Sequence, residues 1–269
     1  MFKSDFSVTL PKASSDKLIV IANGPSLLKA FEKSPELFKT YPCIATNMFA
    51  IGKEFDLIKP LYYVWLDAYM WTSKSDNVIK VQQTLQRDVD WKMHLFVPQF
   101  SKGNAIIREI VKSNKNISLV YYNYTYFAGF PSIGHLLYKL NLSAPRAWNV
   151  TIMSLFLGIN MKFKQLYLVG ADHTWHEHLY MNNENVLHTK VEHFYDDQKS
   201  IEYVPFYKNG DSTMGTNTAK DFFWIWSKTF EGYEQVSAYA VNRNTYIFNA
   251  SKESFIDAFK RRDLSEILK

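Results

Sequence analysis

The chain has 269 residues, 47% of them apolar and 16% aromatic, enough to fill a full-sized core and to exclude disorder as its general state. With 31 basic and 26 acidic residues the formal charge is +5, and the one cysteine, Cys43, excludes an internal disulfide framework and a cysteine-built zinc site. The single cysteine makes a reducing compartment, the cytoplasm, the expected address; no signal segment is expected at the N-terminus, and no apolar run approaches the roughly 20 residues needed to cross a bilayer.

Residues 17–22 (KLIVIA) form a short continuous apolar run, the pattern of a strand buried on both faces. The turn cluster Asn23-Gly24-Pro25-Ser26 follows, and 27–33 reads as a helix; strand, glycine turn and helix open an α/β unit. Further strands are predicted at 43–46, 62–66, 94–97 and 118–122, with helices over 75–87 and 104–112. Residues 147–160 read as a helix with an apolar face, and 165–170 (QLYLVG) as another buried strand. This alternation predicts a mostly parallel sheet with ligands at the carboxyl ends of its strands. Between 171 and 217 the period is lost, and the stretch holds five of the seven histidines: His173, His176, His178, His188 and His193. A lid is predicted over about 173–216. Periodicity resumes with a helix over 218–230 that extends toward 240, a strand over 245–249 and a terminal helix over 252–262. Without an internal repeat or a linker, residues 1–269 are expected to form a single domain with an inserted lid.

Asn23-Gly24-Pro25-Ser26 stands where a strand hands the chain to a helix. Free backbone N–H groups and the helix dipole can hold a phosphate there, or Ser26 can serve as a plain N-cap. Asn47 after CIAT and Asp67 after YYVWL mark two further strand ends, which suggests a shared polar rim, although turn chemistry also places Asn and Asp there. Asp172 and His173 close the strand at 165–170 and belong to the same rim. Histidine suits the removal of a proton from an attacking hydroxyl, and five within 21 positions strengthen that reading over isolated structural histidines. His173, His176 and His178 with Asp172 and Glu177 could also supply metal ligands, but H-x-x-H-x-H is not the helix of zinc peptidases, and no metal is assigned. Asn149 and Thr151 open the long helix and either address a ligand or cap it. Tyr180 lies eight residues beyond Asp172, where a phenol could hold a departing phosphate or simply pack.

Taken in order, IANGPSL (21–27), Thr46-Asn47, the strand ending in Asp67, RAWNVTIMSLFLGINMKFKQLYLVGAD (146–172) and YIFNASKESFIDAF (246–259) resemble the bacterial sialyltransferases of glycosyltransferase family 42. They also resemble the related uncharacterised and motility-accessory proteins with the same Rossmann-like domain, and GADHTW, EHFYDD and SFIDAF look closer to that second group. The resemblance implies an α/β, Rossmann-like, mostly parallel sheet flanked by helices, and a CMP-activated nonulosonic sugar as donor substrate. It places Asn23, Gly24 and Ser26 at the phosphate and ribose, Asn47 and Asp67 near the donor sugar or nucleotide, and Asn149 and Asp172 along the same site, beside which Thr151 is read as a further donor-binding residue from its place in the helix's first turn. Tyr180 matches one of two tyrosines that steady the leaving phosphate; the position of the second is Thr174. Met214-Gly215-Thr216-Asn217 carries threonine where the sialyltransferases carry their basic histidine, so His173 or His193, with His188 third, is the expected base.

The implied activity is a sugar transfer by direct displacement to a surface-glycan or glycolipid acceptor, with no obligatory cofactor or metal. The basic surplus favours work at the inner face of a membrane; self-association is compatible with the sequence, and a nucleic-acid partner is not expected. Two rival readings are an ATP- and magnesium-dependent pterin-type diphosphokinase and a non-catalytic nucleotide-sugar-binding protein.

Overall fold

The computed structural model describes residues 4–190, 194–195, 202–210 and 212–268. The first half of the chain runs β1 (Lys17–Ile21), α1 (Ser26–Lys33), α2 (Pro35–Thr40), β2 (Cys43–Thr46), α3 (Glu54–Ile58), β3 (Tyr62–Val64), α4 (Tyr69–Thr72), α5 (Asp76–Arg87), β4 (Met93–Pro98), α6 (Ala105–Ser113) and β5 (Ile117–Tyr122). The second runs α7 (Pro131–Lys139), α8 (Val150–Asn160), β6 (Gln165–Val169), three short strands β7 (Leu179–Met181), β8 (Leu187–Thr189) and β9 (Val204–Pro205), α9 (Ala219–Asn242), β10 (Tyr246–Asn249) and β11 (Lys260–Arg261). Eight strands form one sheet in the order β11-β10-β6-β1-β2-β3-β4-β5, with every neighbouring pair parallel. This is the α/β, Rossmann-like architecture the sequence implied.

The apolar runs explain the layering. In β1, Leu18 and Val20 face one core with α8 and α9, while Ile19 and Ile21 face the other with α1, α5 and α6. A strand buried on both faces needs an unbroken apolar run, and at about 1.5–3 kcal/mol per buried side chain such a segment fixes its own place at the centre of the sheet. The helix α8 is buried around nearly its whole circumference, with every residue from Val150 to Ile159 inside. Its start lies three residues later than the expected 147 because Asn149 is the N-cap, its side-chain oxygen accepting from the Ile152 N–H at 2.9 Å.

Two expectations are corrected. Residues 252–262 do not form a helix: the segment is irregular and ends in β11, which pairs with β10 at the sheet edge. Local side chains bind its backbone in competition with helical bonds. Asn249 accepts from the Ser251 N–H and donates to the Ile256 carbonyl, Ser254 accepts from the Ile256 N–H, and Arg261 donates to the Ser251 and Ser254 carbonyls. The stretch expected to be irregular holds the antiparallel sheet β7-β8-β9, whose strands of two or three residues are too short to show a period. Among the described residues, no helix is long and apolar enough to cross a membrane.

Candidate functional site

The order of strands reverses at β1. Strands β2 to β5 spread to one side of it, and β6, β10 and β11 to the other. The crevice beyond the carboxyl ends of β1 and β6 is therefore the topological switch point, the usual ligand position in open α/β sheets. Asn23 and Gly24 follow β1, and Asp172 and His173 follow β6.

The two strand ends are fastened together. The Asp172 carboxylate accepts from the Ser26 backbone N–H at 2.9 Å and from the Ser26 hydroxyl. It thereby occupies the positive end of α1, where the sequence left phosphate binding and capping open. Gly24 is required by this closeness, because a Cβ there would stand 2.6 Å from both an Asp172 carboxylate oxygen and the Gly170 carbonyl. Gly170 has φ +69°, a left-handed conformation that turns the chain out of β6. On the far side the Asp172 carbonyl accepts from the Phe255 N–H at 2.7 Å.

Asn149 joins the cap of α8 to a buried polar network. Its amide nitrogen lies 3.2 Å from His173 Nε2 and 3.1 Å from the Tyr233 hydroxyl, which is itself 2.8 Å from the same Nε2. Burial pushes the His173 imidazole down to about 3 and the Tyr233 phenol well up, so both stay neutral near pH 7. The His173 ring also stacks on Trp175, with centroids 4.5 Å apart.

A cavity of about 210 Å³ opens between these groups. Asn23, Gly24, Asn47, Asn149, Thr151, Asp172 and His173 all line it, as do Thr46 and Trp175, which have no role assigned from the sequence, and His178, read there only as a possible metal ligand. Only their placement beside the strand ends brings Thr46 and Trp175 into view. Asn23 donates to the Thr46 carbonyl at 3.3 Å and Asn47 donates to Asp67 at 2.8 Å, yet the side-chain oxygen of each is buried without a partner among the described residues. Asp67 lies on the far side of that bond. It lines a neighbouring cavity of about 400 Å³ with Tyr124, Arg146 and Trp148, and the protein packed beneath it raises its carboxyl above the ordinary value, partly offset by Asn47.

The remaining predicted residues stand elsewhere. Ser26 lines a separate, basic cleft with Lys29, Lys33, Lys252 and Arg261. Tyr180 and His188 face each other across β7 and β8, with ring centroids 6.0 Å apart, and neither lines the 210 Å³ cavity. His193 lies outside the described residues. His176 is packed against Trp226 and Phe255, at 4.7 and 4.5 Å between centroids. Among the described residues, no three His, Cys, Asp or Glu side chains converge on a point that could hold a metal ion.

No protein-family model matches the chain, and no curated protein matches it. Among solved structures, a MAf glycosyltransferase from Magnetospirillum magneticum AMB-1 shares the fold, with a TM-score of 0.54 over 97% of this chain at 12% identity. The chain spans 36% of the length of that structure, and a likeness at this identity is one of fold.

Proposed function

We propose that residues 1–269 act as one glycosyltransferase domain with a lid over 173–216. It would move a sialic-acid-like nonulosonic sugar from a CMP-activated donor to a surface-glycan or glycolipid acceptor by direct displacement. The observation that carries this reading is the pair of buried amide oxygens of Asn23 and Asn47, unpartnered among the described residues, on one cavity at the switch point. Each such oxygen costs about 1–3 kcal/mol when left unpaired. A ligand offering two donors, such as a ribose diol or an exocyclic amine, would satisfy both. The fold shared with a glycosyltransferase supports the reaction class.

In this reading the donor phosphate lies against the first turn of α8, where Val150 and Thr151 line the cavity, because the Asp172 carboxylate holds the first turn of α1. The acceptor hydroxyl gives its proton to an imidazole while its oxygen bonds to the anomeric carbon. The bond from that carbon to the phosphate oxygen breaks, and its electron pair leaves on the nucleotide. His173, buried and shared between Tyr233 and Asn149, is a weak base and acts as a positioning residue. Of the described histidines on the cavity, that leaves His178, half-buried, as the proton acceptor. Tyr180, His188 and His193 belong to the lid.

The test is stabilisation against heat by CMP, CDP, UDP, GDP and ATP, each with and without magnesium. Stabilisation by CMP that Asn47→Ala abolishes supports the reading, and stabilisation by ATP with magnesium alone refutes it in favour of a diphosphokinase. The low basicity of His173 favours a second reading, a nucleotide-sugar-binding protein without turnover. Binding of a CMP-sugar with no release of CMP in the presence of acceptors would identify it.

A further inference from the structure

Helix α7 carries an apolar stripe that no described residue covers. Phe130, Ile133, Leu136 and Leu140 are 76%, 46%, 55% and 54% exposed, and their spacing sets them along one side of the helix. The opposite side is satisfied: Gly134 and Tyr138 are buried, Tyr138 against Phe156 and Tyr239. Scattered exposed apolar residues are ordinary, whereas four in a row on one helix mark a contact surface.

The stretch of chain that carries the stripe bears charge of one sign. Residues 110–171 contain no Asp or Glu, although the chain average would place about six there, and they contain Lys112, Lys115, Lys139, Arg146, Lys162 and Lys164. Arg146 stacks its guanidinium on Tyr126 and Trp148, at 5.5 and 5.0 Å, just beyond the N-terminal end of α7. At the other end, Asn160 donates to the Tyr138 carbonyl at 2.7 Å and to Asn141 at 2.8 Å, which sets the turn bearing Lys162 beside Lys139. Lys139, Arg146 and Lys162 are exposed, and none makes an ion pair among the described residues. One carboxylate, Glu234 of α9, lines the groove beneath α7.

We propose that this face docks on an anionic lipid surface, with the Phe130–Leu140 stripe entering the headgroup layer and Lys139, Arg146 and Lys162 meeting lipid phosphates. An apolar helix face flanked by cations is the composition that binds in the interface plane. A second copy placed symmetrically would set the same unpaired cations against each other; anionic headgroups neutralise them. The proposal is independent of the donor and of the reaction. It orients the 400 Å³ cavity, which shares Arg146 with this face, toward the membrane.

Sedimentation of the full chain with phosphatidylcholine vesicles, with and without phosphatidylglycerol, tests it. The protein is expected to sediment with the anionic vesicles only, and to be partly released by salt. Ile133→Gln with Leu136→Gln, both exposed, should keep the fold by circular dichroism and lower the partition coefficient about a hundredfold. Lys139→Glu should weaken binding to anionic vesicles as well. Failure of the parent to bind them, or binding that the double variant retains, overturns the proposal. So does a dimer in light scattering that the double variant dissociates while the parent ignores vesicles, since the partner would then be a second copy.

Discussion

Asp172→Ala is the most informative single change, because the Asp172 side chain fastens two strand ends and, among the described residues, bonds Ser26 alone. The substitution leaves the Ser26 N–H, bonded at 2.9 Å in the parent, facing a space with no acceptor. A part-buried donor without a partner costs about 1–3 kcal/mol, and loss of the carboxylate from the first turn of α1 costs about 0.3–2 kcal/mol more. The expected loss is about 2–4 kcal/mol, which for a chain of this size lowers the melting temperature by about 4–7 °C. Ser26→Ala keeps the backbone bond and should cost about 1 kcal/mol, and the double variant should fall short of the sum of the two. The vacated helix end should now accept an external anion, so phosphate would raise the melting temperature of Asp172→Ala more than that of the parent. Scanning fluorimetry across a phosphate series reads both effects. A melting temperature unchanged by the substitution, or an identical phosphate response in both proteins, would refute the role given to this carboxylate.

His173 gives stability a pH dependence of known sign. Its folded value, about 3, lies below the ordinary 6.5, so the unfolded chain binds a proton that the folded one does not. Stability is full above pH 6.5 and is lost by about 1.4 kcal/mol per pH unit as pH falls toward 3; denaturant titrations should show that slope flattened in His173→Gln. Tyr233→Phe removes a partner from both His173 and Asn149 and should cost about 1–2 kcal/mol in the same assay. Gly24→Ala brings a methyl group into the Asp172 carboxylate and the Gly170 carbonyl; a loss of about 1–3 kcal/mol in urea unfolding is expected. Unchanged stability would mean that the two strand ends stand further apart than the structure shows.

Much of the fold was legible because it rests on short-range patterns. KLIVIA, CIAT and QLYLVG are buried on both faces and therefore uninterrupted, so their places in a parallel sheet follow from composition alone. The polar residues that end those runs proved to be cavity neighbours for the same reason: parallel strands bring all their carboxyl ends to one edge. What stayed hidden depends on contacts distant in sequence. Asp172 reads as a ligand residue in the chain and acts as a cap on α1, a role that exists only because residues 26 and 172 meet. The tail at 252–262 has helical spacing, but Asn249, Ser254 and Arg261 take up its backbone groups. Helix α7 received no assignment because its outward stripe and its inward Tyr138 together blur the apolar period.

The placement of Asp172 also bears on the order in which the molecule assembles. Strands β1 to β4 each pair with their successor in the chain, so that half of the sheet can grow by short steps. The site cannot: its wall needs residue 26 from the first crossover, residue 172 from beyond β6 and the main chain of residue 255, held by the Ser26 and Phe255 N–H groups. Closing loops of that length carries an entropic cost that the neighbouring strand pairs do not bear. The expected consequence is that the switch point forms late, so that a ligand there slows unfolding and leaves the folding rate unchanged; unfolding and refolding rates with and without ligand check it.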